Sequence, residues 1–68
     1  MSVARVTKIT AASPKSFDDA IHSGIERASK TLRDITGFHV LEEKAKVVKG
    51  QISEYRVTME ITFVLEHS

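Results

Sequence analysis

Glu54, Glu60 and Glu66 recur at intervals of six residues in the stretch Glu-Tyr-Arg-Val-Thr-Met-Glu-Ile-Thr-Phe-Val-Leu-Glu, Glu54 to Glu66. An even spacing puts all three on one face of a strand, because successive strand side chains point to opposite sides. Carboxylates are the ligands of hard cations, which gather about six to eight oxygens. Acids strung along one strand cannot surround an ion, so a cation site here needs acids from a second chain across a symmetry axis. The three histidines, His22, His39 and His67, have no second histidine at ligand spacing. His22 has only weak partners in Asp18 and Glu26, and all three are read as solvated side chains. Glu42-Glu43 followed by Lys44 and Lys46 is a mixed-charge run that serves solubility and protects a strand edge. No nucleophile stands beside a base, no glycine-rich loop could cradle a phosphate, and no acids are paired for proton transfer. The expectation is a protein that is not an enzyme.

The element that must position the glutamates is the same stretch. Tyr55, Val57, Met59, Ile61, Phe63 and Leu65 share one phase of a two-residue period. Glu54, Arg56, Thr58, Glu60, Thr62 and Glu66 share the other, interrupted only by Val64. That is a long strand with an apolar and a polar face. It requires partner strands and a cover over its apolar side. Val3 to Thr10, rich in β-branched residues, predicts a first strand. Either face of it is a candidate for burial: Ala4, Val6 and Lys8 on one side, Val3, Arg5, Thr7 and Ile9 on the other.

Ser16 with Asp19 three residues on predicts a helix start, the hydroxyl taking a free N–H of the first turn. Ser13-Pro14 is the competing start. Asp18 and Asp19 suit the positive end of the helix dipole. Phe17, Ala20, Ile21, Gly24, Ile25, Ala28 and Leu32 form one apolar stripe. The expected helix is Ser16 to Asp34, with Gly37 as its stop and Gly24 allowing a close approach to the sheet. Phe38 to Val48 predicts a second strand, with a bulge where the phase changes between Val40 and Leu41. Gly50-Gln51 marks the turn of an antiparallel hairpin.

The fold class is therefore α+β in the order β-α-β-β: a three-stranded antiparallel sheet packed on one helix. The helix forms a right-handed crossover and the last strand lies in the middle. Residues 1–68 form one expected domain. The polar sheet face of Arg56, Thr58, Glu60, Thr62 and Val64 is expected to meet other subunits, the alternative being a solvated face. A chain of 68 residues without cysteine has no disulfide to support a small core, and assembly supplies the missing burial. Ten basic residues against nine acidic ones give a net charge of +1. That balance argues against a nucleic-acid or membrane surface. With neither a membrane-length apolar run nor a signal-peptide pattern, the expected location is the cytoplasm.

Several strings, taken in order, resemble the dodecins, small flavin-binding proteins that assemble into hollow dodecamers. They are Ser13-Pro14, Ser16-Phe17, Ala20-Ile21, Arg27-Ala28, Lys30-Thr31-Leu32-Arg33, Phe38 with Val40, Glu54-Tyr55, Val57-Thr58, and Phe63 with Leu65-Glu66. The resemblance covers nearly the whole chain. It implies a homododecamer that binds or stores a small ligand, with FMN or riboflavin as the family cofactor. In flavin-binding members a tryptophan before the Phe-x-Val string stacks on the flavin ring; here that position is Gly37. A glutamine after Glu-Tyr bonds the ring's polar edge; here it is Arg56. An arginine between Phe and Leu is replaced by Val64, and a glycine before that Phe by Thr62. These departures imply that flavin binding is weakened or lost. Tyr55 and Phe38 are expected in the core and do not replace the tryptophan. The Trp-lacking, calcium-chelating dodecin type is similar in Tyr55-Arg56, Glu60 and Val40-Leu41-Glu42. That likeness makes Ca2+ an alternative ligand, with Glu42, Glu54, Glu60 and Glu66 as candidate acids. A structural or partner-binding shell without a small ligand is the third reading.

Overall fold

The computed structural model describes residues 3–66, apart from the side chain of Glu66. Four elements follow one another: β1 (Val3–Ser13), α1 (Phe17–Ala28), β2 (Ile35–Val48) and β3 (Gln51–Glu66). They form a three-stranded antiparallel sheet in the order β1-β3-β2, so the last strand is central, as its alternation requires. β1 runs the full length of β3's C-terminal part, from Val3 opposite Glu66 to Ser13 opposite Tyr55. Both outer strands oppose β3, so β1 and β2 are parallel to each other and α1 makes the crossover between them.

Pairing fixes the faces. Tyr55, Val57, Met59, Ile61 and Phe63 share a side with Ser13, Ala11, Ile9, Thr7 and Arg5 of β1. The helix lies on this side. Val57, Met59 and Ile61 are fully buried beneath it, with Ala20 and Ala28 of α1. Full burial of such side chains stabilises by about 1.5–3 kcal/mol each. Phe17 closes one end of the core, its ring meeting Tyr55 edge-on at 5.0 Å between centroids. Leu65, expected to share this burial, is 57% exposed because the strand has run past the helix.

Gly24 faces the sheet where α1 comes nearest. A Cβ there would stand 2.7 Å from Met59 Cε and 3.0 Å from Ala11 Cβ. The missing side chain is what lets the helix descend this far, at a cost in helix propensity of about 1 kcal/mol.

The helix starts as expected and ends early. Ser16 is its N-cap, accepting the Asp19 N–H at 2.9 Å. The competing Ser13 ends β1 and is buried. Its hydroxyl donates to Asp19 Oδ2 at 2.5 Å and accepts from the Lys15 N–H at 2.9 Å, which ties the loop to the first turn. The expected helix to Asp34 is corrected to Phe17–Ala28 with Ser29 as C-cap. Ser29 Oγ donates back to the Ile25 carbonyl at 2.8 Å, a bond that competes with continued helix. Leu32 still donates to the Ala28 carbonyl, so the apolar stripe continues for one irregular turn. The chain then reverses at Asp34, φ 57°, a conformation that Asp tolerates better than most residues. Gly37, expected as the stop, instead lies inside β2 opposite Thr62.

β2 and β3 form the expected hairpin, closed by Lys49 (φ 52°) and Gly50 (φ 77°) between the paired Val48 and Gln51. Two successive left-handed residues give the turn that suits strand twist, and Gly50 takes its position without strain. Register shifts fall between Ile35 and Gly37, between Val40 and Glu42, and between Lys46 and Val47. The second is the bulge expected from the phase change. β1 starts at Val3 as expected but runs on to Ser13, and β2 and β3 start three residues before their expected limits, because all three strands are paired further than their alternation reaches. Among the described residues no helix is long and apolar enough to cross a membrane.

Candidate functional site

Every described candidate residue lies on the sheet face away from the helix. Across it run rows set by the register: Lys8, Glu60 and His39; Thr10, Thr58 and Glu42; Ala12, Arg56 and Lys44; Val6, Thr62 and Gly37. Glu54 continues the face opposite Lys46. Glu66 ends β3 opposite Val3, and its side chain lies outside the described residues, as does His67.

Each described candidate acid, Glu42, Glu54 and Glu60, has a basic side chain beside it. Glu54 Oε1 accepts from Arg56 Nε at 3.2 Å, and Glu42 Oε1 lies 3.4 Å from Lys44 Nζ. Glu60 Oε1 and His39 Nδ1 approach to 3.9 Å. All three pairs meet solvent, where such contacts contribute about 0–1 kcal/mol. Lys44 and Arg56 oppose each other directly across the strands. Like charges in that position repel, and each leans instead towards the carboxylate two residues back on its own strand. Thr10 and Thr58 share a hydroxyl hydrogen bond of 3.1 Å beside this cluster.

The face does not assemble a closed site within one chain. Gly37 is opposite Thr62, and Arg56 lies six residues away on the same strand, about 20 Å at the strand rise. Glu54 and Glu60 are separated by the same interval. Among the described residues no three acidic or histidine side chains converge on a point that could hold a metal ion. Nor does any buried side-chain polar atom among them lack a partner. Gly37 has no left-handed φ, and a Cβ built on it would have nothing within 4 Å. Phe38 follows it in the chain but points to the opposite face. The core position expected for Phe38 is corrected: it is 47% exposed, because α1 covers β1 and β3 and leaves β2 bare.

Lys44 and His39 were absent from the candidates drawn from sequence, yet they are the cross-strand partners of Arg56 and Glu60. Counting back from the Lys49–Gly50 turn would have paired them only with the bulges already placed.

A family model described as Dodecin matches residues 3–66. The chain belongs to the dodecin family. A dodecin of Thermus thermophilus is 30% identical over 66 residues, covering 97% of this chain and 96% of its own. Among solved structures, the dodecin from Streptomyces davaonensis is 41% identical with a TM-score of 0.91, each chain 97% covered. A second relative is the calcium-chelating immunodominant antigen of Mycobacterium tuberculosis, calcium dodecin, described with a novel calcium-binding site. It is 32% identical with a TM-score of 0.82, over 98% of this chain and 96% of that one. The dodecin architecture thus agrees with the sheet order and the single helix found here.

Proposed function

We propose that this dodecin is the subunit of a hollow homododecamer that binds or stores a small ligand, and that its affinity for flavin is weak or lost. The observation that carries this reading is the bare backbone at Gly37, where flavin-binding members present a tryptophan. Stacking on an aromatic ring contributes about 0.5–1.5 kcal/mol beyond area burial, and among the described residues no Trp, Tyr or Phe side chain lies on this face to take its place. Arg56 adds a second mismatch. A guanidinium only donates, so it offers no acceptor to a flavin ring N–H, and here it is held by Glu54. The residues present do not fit a flavin. Assembly is supported by the uncovered surface of β2 and by a candidate face spread too widely for one chain to enclose a ligand. In the Ser13–Asp19 hydroxyl–carboxylate contact Ser13 is buried, and the contact holds the loop to the helix start; on that footing a binding protein is favoured over an enzyme.

The test is quenching of FMN and riboflavin fluorescence by the natural protein and by a Gly37→Trp, Arg56→Gln variant. The open space over Gly37 accepts the larger side chain. The variant is expected to bind at least about tenfold more tightly, the ratio that 1.4 kcal/mol produces. Equal quenching by the two proteins defeats this reading.

A second reading, calcium or another hard cation as ligand, is favoured by likeness to the calcium-chelating relative and by Glu42, Glu54 and Glu60 sharing one face. In this reading acids from neighbouring subunits complete the site. Calcium at about a hundred times its dissociation constant stabilises the native state by about 2.7 kcal/mol. A melting temperature unmoved by millimolar calcium removes the cation.

A further inference from the structure

The flank of α1 that faces β1 carries a groove of about 610 Å³, within the range of small-molecule sites. It follows β1 from Thr7 to Ala12, about 17 Å at the strand rise. Ile9 and Ala11 give it one apolar wall, and Ala28 and Leu32 give it apolar surface across from them. Ser23 and Arg27 also line it. They are four residues apart on α1, so they stand one above the other along the groove.

Arg27 is the one charged side chain of this lining. The ion pairs among the described residues are those of Glu42, Glu54 and Glu60, and Arg27 enters none of them. The nearest acids in the chain do not reach it here: Glu26 lines the groove on the other flank of α1, and Asp34 is outside the lining. Lys30 and Arg33 follow Arg27 and add positive charge at this end of the helix. The negative end of the helix dipole is muted, because the carbonyls of Ile25, Arg27 and Ala28 accept N–H groups of residues 29 to 32. The groove on the other flank, about 550 Å³, has Asp18 and Glu26 in its lining and repels an anion.

We propose that the α1–β1 groove binds a linear amphiphile with a single carboxylate, of the kind a medium-chain fatty acid supplies. The carboxylate accepts from the Arg27 guanidinium and the Ser23 hydroxyl, and the chain lies over Ile9, Ala28 and Leu32. A guanidinium holds a carboxylate through paired N–H donors. Each methylene taken out of water tightens binding about fourfold. The site is on the helix side of the sheet, apart from Gly37 and Arg56, and does not rest on the reading of that face.

The experiment is isothermal titration calorimetry of the full chain, as purified, with decanoate, octanoate and decylammonium below their micelle-forming concentrations. Far-ultraviolet circular dichroism confirms the folding of each variant. Decanoate is expected to bind saturably and about fifteenfold more tightly than octanoate. Decylammonium, with the same chain and the opposite charge, is expected to bind at least about tenfold more weakly than decanoate. Arg27→Glu is expected to weaken decanoate at least about tenfold, the size of one charge-assisted hydrogen bond, while Arg27→Lys keeps most of the affinity. Ser23→Trp fills the groove without changing its charge and is expected to abolish binding. Equal affinity for decanoate and decylammonium overturns the inference. So does decanoate binding that survives both Arg27→Glu and Ser23→Trp, which places the amphiphile elsewhere. A natural chain that takes up no decanoate overturns it as well and leaves the flavin reading, tested by its own quenching assay, untouched.

Discussion

Met59 and Glu60 are neighbours in the chain and lie on opposite faces of the same sheet. Met59 is fully buried between the strands and α1. Glu60 meets His39 at 3.9 Å and otherwise faces solvent. The alternation that separates them is equally regular on both sides, yet only one side is completed within the chain. The helix-side face closes through Ala20, Gly24 and Ala28, small residues that let the helix settle on Val57, Met59 and Ile61. The other face is held by exposed ion pairs of little energy. The fold therefore constrains the first set of residues closely and the second hardly at all. Gly37 and Arg56 stand on this second face, where substitution costs the fold little, and it is the proposed function that gives them the choice of ligand.

Substitutions on the two faces can break that contrast. Met59→Ala is expected to have the largest effect, about 2–5 kcal/mol, because it removes a fully buried side chain and leaves a cavity. Urea unfolding measures it, and a loss below about 1 kcal/mol would contradict a core at this position. Gly24→Ala comes next. Its gain in helix propensity, about 1 kcal/mol, is opposed by overpacking of about 1–3 kcal/mol. Met59 Cε can swing aside but Ala11 Cβ cannot, so a net loss is expected. A double-mutant cycle with Ala11→Gly should recover part of it, and additive effects would deny the contact. Glu54→Gln on the opposite face should change stability by no more than about 0.5 kcal/mol. A larger loss in the same unfolding assay would make that face structural.

Much of this was legible from residue order. The period-2 run from Tyr55 to Phe63 placed the central strand and its buried side. Ser16 with Asp19 placed the helix start, Gly24 its approach to the sheet, and the Val40–Leu41 phase change the bulge. Failures came where several local signals competed. The apolar stripe reaching Leu32 read as helix, while Ser29 bonding back to Ile25 and the reversal at Asp34 ended it at Ala28. Phe38 and Leu65 read as core because periodicity names a face and not how far a helix reaches across it. The candidate residues were identified singly. Their common face was partly visible in the even spacing of Glu54, Arg56 and Glu60, whereas Gly37 and Glu42 joined it only through cross-strand register.

The Val40–Glu42 bulge has a consequence for how this chain tolerates changes of length. Val40 pairs with Met59 and Glu42 with Thr58, so Leu41 is the supernumerary residue between them. Its deletion would join two segments already in correct alternation and regularise the ladder. Loss of a neighbour such as Lys44 would instead turn part of β2 inside out, since a slip of one residue exchanges the faces. A homologue shorter by one residue at Leu41 would therefore keep both surfaces of the strand as they are here.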